Sequence, residues 1–68
     1  MKLDAKTIAN ITLIESITGA AVKDVFEDDN IINIIVEEGN VKKALGYENK
    51  NLKKIQYLLK KNIKIIGF

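Results

Sequence analysis

The sequence predicts a small α+β domain in which a three-stranded mixed sheet carries three helices on one face. Runs rich in valine and isoleucine at 21–26, 31–36 and 63–66 have the composition of strands. Apolar residues recur at helical spacing within 5–18 and 50–60. The length of 68 residues fits one domain, residues 1–68. With a short helix before residue 50, the predicted order is α-β-β-α-α-β.

The first helix has signals at both of its ends. Asp4 is a favourable N-cap, and Leu3 before it can pack on Ile8 as a hydrophobic staple. Gly19 is placed to end the helix in a left-handed conformation. The predicted buried stripe is Ile8, Ile11, Ile14 and either Ile17 or Thr18.

The order of the strands predicts how they pair. The polar segment 27–30 is short, so the strands on either side of it should form an antiparallel hairpin. The helical connection to the last strand should make that strand parallel to the second, with right-handed crossover. The predicted core draws on all elements: Ile8, Ile11, Ile14, Ile32, Ile34, Val36, Ala44, Leu45, Leu52, Ile55, Leu59, Ile63 and Ile65.

The second and third helices are bounded by asparagine and glycine. Asn40 is the expected N-cap of the short helix, and Gly46 should interrupt it. Asn49 is the expected cap of the helix at 50–60, and Asn62 should end that helix with a left-handed residue. Tyr57 is interpreted as a partly buried packing residue. The predicted buried stripe of this helix is Leu52, Ile55 and either Leu58 or Leu59.

Composition argues against an enzyme. Cysteine and histidine are absent, which excludes thiolate and imidazole metal ligands and Cys-His or Ser-His catalysis. A chain of this length also has little room for a buried substrate cavity. We therefore expect no cofactor and no metal. Since neither a signal peptide nor an apolar run long enough to span a membrane is present, we expect a cytoplasmic protein without a membrane partner.

Charge is distributed unevenly along the chain. Residues 1–38 hold three lysines and eight acidic residues, a net charge of −5, whereas residues 39–68 hold eight lysines and one glutamate, a net charge of +7. A basic half can form a phosphate-binding face. The alternative is that these lysines are only solvated surface positions. The acidic residues at 27–29 lack metal-ligand spacing and are interpreted as part of a hairpin turn.

Two helices joined by Gly46-Tyr47-Glu48-Asn49 within a β-αα-β frame have the arrangement of a KH domain, in which a GxxG loop binds the nucleic-acid backbone. With a helix and a strand ahead of that frame, the chain resembles a type II KH domain. More narrowly, it is similar to the first KH domain of the archaeal NusA-like transcription factors. The resemblance covers nearly the whole chain and is carried by segments 14–20, 22–25, 34–39, 44–46, 51–55, 58–59 and 64–66.

The resemblance implies single-stranded RNA binding in transcription termination or antitermination, with RNA polymerase or a second KH domain as protein partners. The Gly46–Asn49 loop would contact RNA. Phosphate contacts would come from the neighbouring lysines, Lys42, Lys43, Lys50, Lys53 and Lys54. The apolar floor under the bases would be Val41, Ala44, Leu45 and Leu52.

The loop departs from the family pattern Ile-Gly-Lys-x-Gly-x-Asn. Gly46 and Asn51 match it, whereas Tyr47 replaces the loop lysine and Asn49 replaces the second glycine. Asparagine tolerates positive φ, so Asn49 can keep the backbone shape, although its side chain would crowd a phosphate. Glu48 adds a negative charge. Tyr47 is either a platform for a stacked base or an exposed tyrosine without a partner.

A competing hypothesis starts from the sheet. If Ile32, Ile34 and Val36 face the helices, the alternation of a strand turns other apolar residues to the helix-free side. That face would carry Ile31, Ile35, Ile66 and Phe68. Such a patch usually marks a partner surface. The chain would then be a protein-interaction or dimerisation module, a homo-oligomer for instance, with weak or no RNA binding.

Overall fold

The computed structural model describes residues 5–68, with side chains described from residue 9 onward. The helices and strands are α1 (Ala5–Thr18), β1 (Val22–Asp28), β2 (Ile31–Val36), α2 (Val41–Leu45), α3 (Lys50–Leu59) and β3 (Asn62–Gly67). Single 3₁₀ turns, Glu38–Asn40 and Tyr47–Asn49, lead into α2 and α3. The predicted α+β class and element order are confirmed. The cap at Asp4 and the staple between Leu3 and Ile8 lie outside the described residues and side chains.

The sheet has β2 at its centre, antiparallel to β1 and parallel to β3. Asp29 and Asn30, with φ of 51° and 64°, connect β1 to β2. Positive φ at both central residues is typical of the type I′ hairpin turn, whose twist matches that of the strands. Pairing continues to Asp28 opposite Ile31, so β1 ends two residues later than predicted and the turn is correspondingly tighter.

The core lies between the sheet and the helices. It consists of Ile14, Ala20, Val25, Ile32, Ile34, Val36, Ala44, Ile55 and Ile63. Ile17 packs against this core and Thr18 is buried, its hydroxyl donating to the Ile14 carbonyl at 2.8 Å. Val25 was not predicted there. A β-bulge between Val22 and Asp24 turns both Val22 and Val25 toward the helices, although an odd separation would place them on opposite faces of a regular strand.

Two glycines have close packing or conformational roles. Gly19 has a φ of 70°, and its N–H donates to the Glu15 carbonyl at 2.8 Å, so it ends α1 as predicted. A Cβ on Gly67 would lie 2.8 Å from Val41 Cγ2 and 3.1 Å from Glu38 Cα. The absent side chain therefore lets β3 pack closely against the entry into α2.

Asn40 and Asn49 occupy the N-cap positions of α2 and α3 as predicted, but neither the capping hydrogen bonds nor the predicted end of α3 is observed. Asn40 and Asn49 make no side-chain capping hydrogen bond, because the 3₁₀ turns hold them at φ −103° and 59° rather than in the extended conformation of an N-cap. Asn62 does not end α3, since it is already the first residue of β3. Lys60 takes the left-handed conformation instead, with its N–H donating to the Gln56 carbonyl at 2.8 Å.

Candidate nucleic-acid interface

The Gly46–Asn49 loop is built almost entirely from left-handed backbone. Gly46 ends α2 at a φ of 77°, and its N–H donates to the Lys42 carbonyl at 2.9 Å. Glu48 and Asn49 follow at 53° and 59°. The Asn49 N–H donates back to the Gly46 carbonyl at 3.1 Å, which closes the turn. Asn49 thus adopts the positive φ expected of it in place of a glycine.

Gly46 and Asn51, the two residues that match the family pattern, also contact each other. A Cβ on Gly46 would lie 2.8 Å from Asn51 Nδ2 and 3.1 Å from the Asn51 backbone nitrogen. The same Nδ2 donates to the Lys43 carbonyl at 3.2 Å. The Asn51 side chain therefore ties the start of α3 to α2, and it can do so only because residue 46 lacks a side chain.

Next to the loop lies an open depression of about 260 Å³, lined by Tyr47, Glu48, Lys50 and Lys53. Tyr47 is 84% exposed. Of the five lysines predicted to contact phosphate, the structure thus brings Lys50 and Lys53 together beside the loop. The other three are also exposed: Lys42, Lys43 and Lys54.

The predicted floor is only partly available to a ligand. Ala44 is 1% exposed and belongs to the core, so it cannot contact a base directly. Val41 and Leu52 are half-buried and pack against the core, and Leu45 is half-buried outside the core cluster. Leu45 was predicted to be a core residue, and that prediction is wrong. Leu45 is the last residue of α2, where the chain leaves the helix at Gly46.

Tyr57 is 79% exposed, so its interpretation as a packing residue is wrong. In α3 the buried side is marked by Ile55, with Leu59 packed against the core and Leu58 45% exposed. Tyr57 lies two turns after Lys50 and points the same way, away from the core. That spacing is visible in the sequence and could have predicted the exposure.

The helix-free face of the sheet is less continuous than predicted. Ile31, Ile35 and Ile66 are half-buried. Phe68 is 82% exposed, and Lys23 Nζ lies 5.1 Å from the centroid of its ring. Two further residues, Asn33 and Phe26, lie on the same face.

The first of these is Asn33, which lies between the apolar residues of this face. It is 8% exposed, and its Nδ2 donates to the Ile31 carbonyl at 3.2 Å. The second is Phe26, which pairs with Asn33 across β1 and β2 and is 42% exposed. Sequence reasoning missed Phe26, although the pairing of the hairpin would place it on this face.

The acidic hairpin is explained by structure. Among the described residues there is no group of acidic side chains that could hold a metal ion. Glu27 accepts from Lys61 Nζ at 2.8 Å, and Asp29 occupies the turn. No helix in the described part of the chain is long and apolar enough to cross a membrane.

Comparison with known proteins identifies relatives at the level of sequence and of structure. The chain is 35% identical over its whole length to a probable transcription termination protein NusA of Methanococcus vannielii. The predicted resemblance to archaeal NusA-like factors is confirmed. The chain spans 39% of that relative's length.

The fold comparison agrees. The crystal structure of APE1850 superposes with a TM-score of 0.90 at 25% identity, over 97% of this chain and 49% of that one. No protein-family model matches the chain. The α+β arrangement predicted from the sequence therefore has a close counterpart in a solved structure.

Proposed function

We propose that this domain binds single-stranded RNA, without enzymatic activity, through the Gly46–Asn49 loop and the start of α3. One observation carries the proposal: an exposed aromatic ring and two lysines converge beside a loop of left-handed backbone, in the depression lined by Tyr47, Glu48, Lys50 and Lys53. Aromatic rings and lysines side by side are typical of single-strand binding surfaces.

The chemistry of the loop suits a phosphate more than a base. The loop leads directly into the ten-residue helix α3, whose positive N-terminal end favours an anion, although the Lys50 N–H already donates to the Tyr47 carbonyl. Lys50 and Lys53 add positive charge there. Tyr47 offers a face on which a base can stack, which is worth about 1–3 kcal/mol per base in single-strand complexes.

Glu48 works against this binding. Its carboxylate stands in the same depression as the two lysines and repels a phosphate. The affinity should therefore be lower than that of a loop with a neutral residue at this position. Phosphate contacts also predict that affinity falls as salt rises. For a single strand, the logarithm of the binding constant should fall against the logarithm of the salt concentration with a slope of about −0.7 per neutralised phosphate.

The biological setting of the proposal comes from the relative, which is named as a transcription termination protein. We place the domain in transcription termination or antitermination, in the cytoplasm, with RNA polymerase or a second KH domain as its protein partner. Such partners would supply additional contacts to a domain whose loop has lost one glycine.

The test is an amide NMR titration of the labelled chain with short single-stranded RNA pools at low salt. We expect shifts concentrated in residues 41–54, and a weaker complex for Lys50→Glu. The matched control is Lys64→Glu, which reverses an equally exposed charge on the helix-free face of the sheet. An absence of shifts within residues 41–54, or equal effects of the two charge reversals, would reject the loop assignment.

A second candidate function is self-association of two copies through the helix-free sheet face. This face exposes Phe26 and Phe68, and it is acidic along β1 at Asp24 and Asp28 but basic at Lys64 on β3. Two copies related by a two-fold axis can set each acidic strand over the partner's basic strand. RNA binding would then be weak or absent.

Self-association predicts a molar mass that rises with concentration in light scattering. Ile35→Lys should abolish that rise, because it places a charge in the centre of the face. Leu58→Lys is the control, since Leu58 is 45% exposed on α3 and lies away from the sheet face. A constant monomer mass at all concentrations would rule out the dimer.

A further inference from the structure

The outward side of α3 forms a continuous basic and aromatic surface, which we call the α3 outer face. It consists of Lys50, Lys53, Lys54 and Tyr57, all exposed. At 100° per residue, Lys50 and Tyr57 lie nearly opposite the fully buried Ile55, with the other two lysines on either side of them. No acidic residue occurs anywhere in α3.

This surface is continuous with the loop. Lys50 and Lys53 belong both to the depression beside Tyr47 and to the α3 outer face. From Lys50 to Tyr57 the helix rises about 10.5 Å, which is about the length of three stacked nucleotides. A ligand seated at the loop therefore meets a second aromatic ring one or two turns further along the helix.

We propose that the RNA strand continues from the loop along the α3 outer face, with one base stacked on the Tyr57 ring and its neighbouring phosphates paired with Lys53 and Lys54. This inference rests on the proposed function, since it extends the same site. An exposed ring between ammonium groups suits a nucleic acid, because each nucleotide offers a flat base beside a phosphate. An acidic polypeptide would use the lysines alone.

The test compares two lengths of RNA on three proteins. Oligouridylates of four and ten nucleotides are titrated at low salt onto the wild-type chain, Tyr57→Ala and Tyr57→Phe, with affinity measured by fluorescence anisotropy. The ring is 79% exposed, so neither substitution removes core packing. The phenylalanine variant keeps the stacking face and serves as the matched control.

We expect the ten-nucleotide RNA to bind the wild type more tightly than the four-nucleotide RNA. Tyr57→Ala should weaken the longer RNA about tenfold and leave the shorter one unchanged, and Tyr57→Phe should stay within twofold of wild type. Equal affinity of both lengths for the wild type, or an unchanged ten-nucleotide affinity in Tyr57→Ala, overturns the inference while the loop site stands.

Two other results would also overturn the inference that RNA continues along the α3 outer face. If neither RNA binds, the proposed function and the inference fail together. If polyglutamate competes with the ten-nucleotide RNA and binds equally well to wild type and Tyr57→Ala, the α3 outer face is a surface for an acidic protein. In that case the ring has no part in recognition.

Discussion

Within residues 5–68, two pairs of consecutive residues have left-handed backbone, and their surroundings differ. Asp29 and Asn30 join β1 to β2 at φ values of 51° and 64°. Glu48 and Asn49 join α2 to α3 at 53° and 59°. The φ values are similar in both places, although one pair connects two strands and the other connects two helices.

The residue types show what each turn requires. Aspartate and asparagine tolerate left-handed backbone, and the hairpin uses both where the twist of the strands demands it. Glutamate has no such tolerance, so Glu48 carries backbone strain. The loop is held in this shape by the contact between Gly46 and Asn51, and its strain lies in the region where we propose that phosphate binds.

The largest effect should come from Gly46→Ala. The new Cβ would lie within 3.1 Å of both the side chain and the backbone nitrogen of Asn51, at a φ of 77°. We expect the free energy of unfolding to fall by about 2 kcal/mol in urea denaturation. Gly39→Ala is the control, because nothing lies within 4 Å of its added Cβ. Equal stability of the two variants would show that the loop is not held by this contact.

A smaller effect of opposite sign is expected for Glu48→Gly. Glycine relieves the left-handed strain, but it loses more chain entropy on folding than glutamate does. Because the relief of strain is the larger of the two, we expect the free energy of unfolding to rise by about 0.5–1 kcal/mol. Lys60→Gly, at a φ of 54°, should give a similar gain in stability. Only Glu48→Gly should also tighten RNA binding, because it alone removes the carboxylate beside Lys50. A loss of stability in Glu48→Gly would show that the backbone of Glu48 is not strained.

The smallest change in stability is expected for a pair of substitutions that compares the two turns directly. Asn49→Gly and Asn30→Gly change the same residue type at similar positive φ, so each should alter stability by about a few tenths of a kcal/mol. Asn49→Gly should strengthen RNA binding in an anisotropy titration, since it removes a side chain that crowds phosphate. Asn30→Gly should not. Equal RNA affinity of both variants would place the binding site away from the loop.

The pattern of residues was sufficient to predict the helices and strands and their order. The run of β-branched residues at 31–36 coincides with β2, and Gly19 and Gly46 end their helices as predicted. These signals are local, because β-branched composition and the freedom of glycine act within a few residues. The parallel pairing of β3 with β2 followed from connection length alone.

What escaped prediction depends on tertiary contacts. The bulge near Val22 decides that Val25 is buried, and no composition signal marks a bulge there. The left-handed residue that ends α3 is Lys60, because the chain must turn early enough for Asn62 to pair with Ile31. The depression beside the loop is formed by the 3₁₀ turn and the start of α3, and it depends on a left-handed φ at Glu48 that the residue type does not signal.

The two pairings of β2 have very different sequence separation. Asp28 meets Ile31 across the tight hairpin turn, whereas the parallel pairing joins Ile31 to Asn62 across both α2 and α3. Closing the chain between Ile31 and Asn62 costs far more entropy than closing the hairpin turn. The hairpin can therefore form in microseconds, whereas β3 can pair only after the two helices have formed. During synthesis β3 emerges from the ribosome after β1 and β2, and the central strand keeps an open edge until then. The nascent chain is therefore most vulnerable to misassociation along that edge.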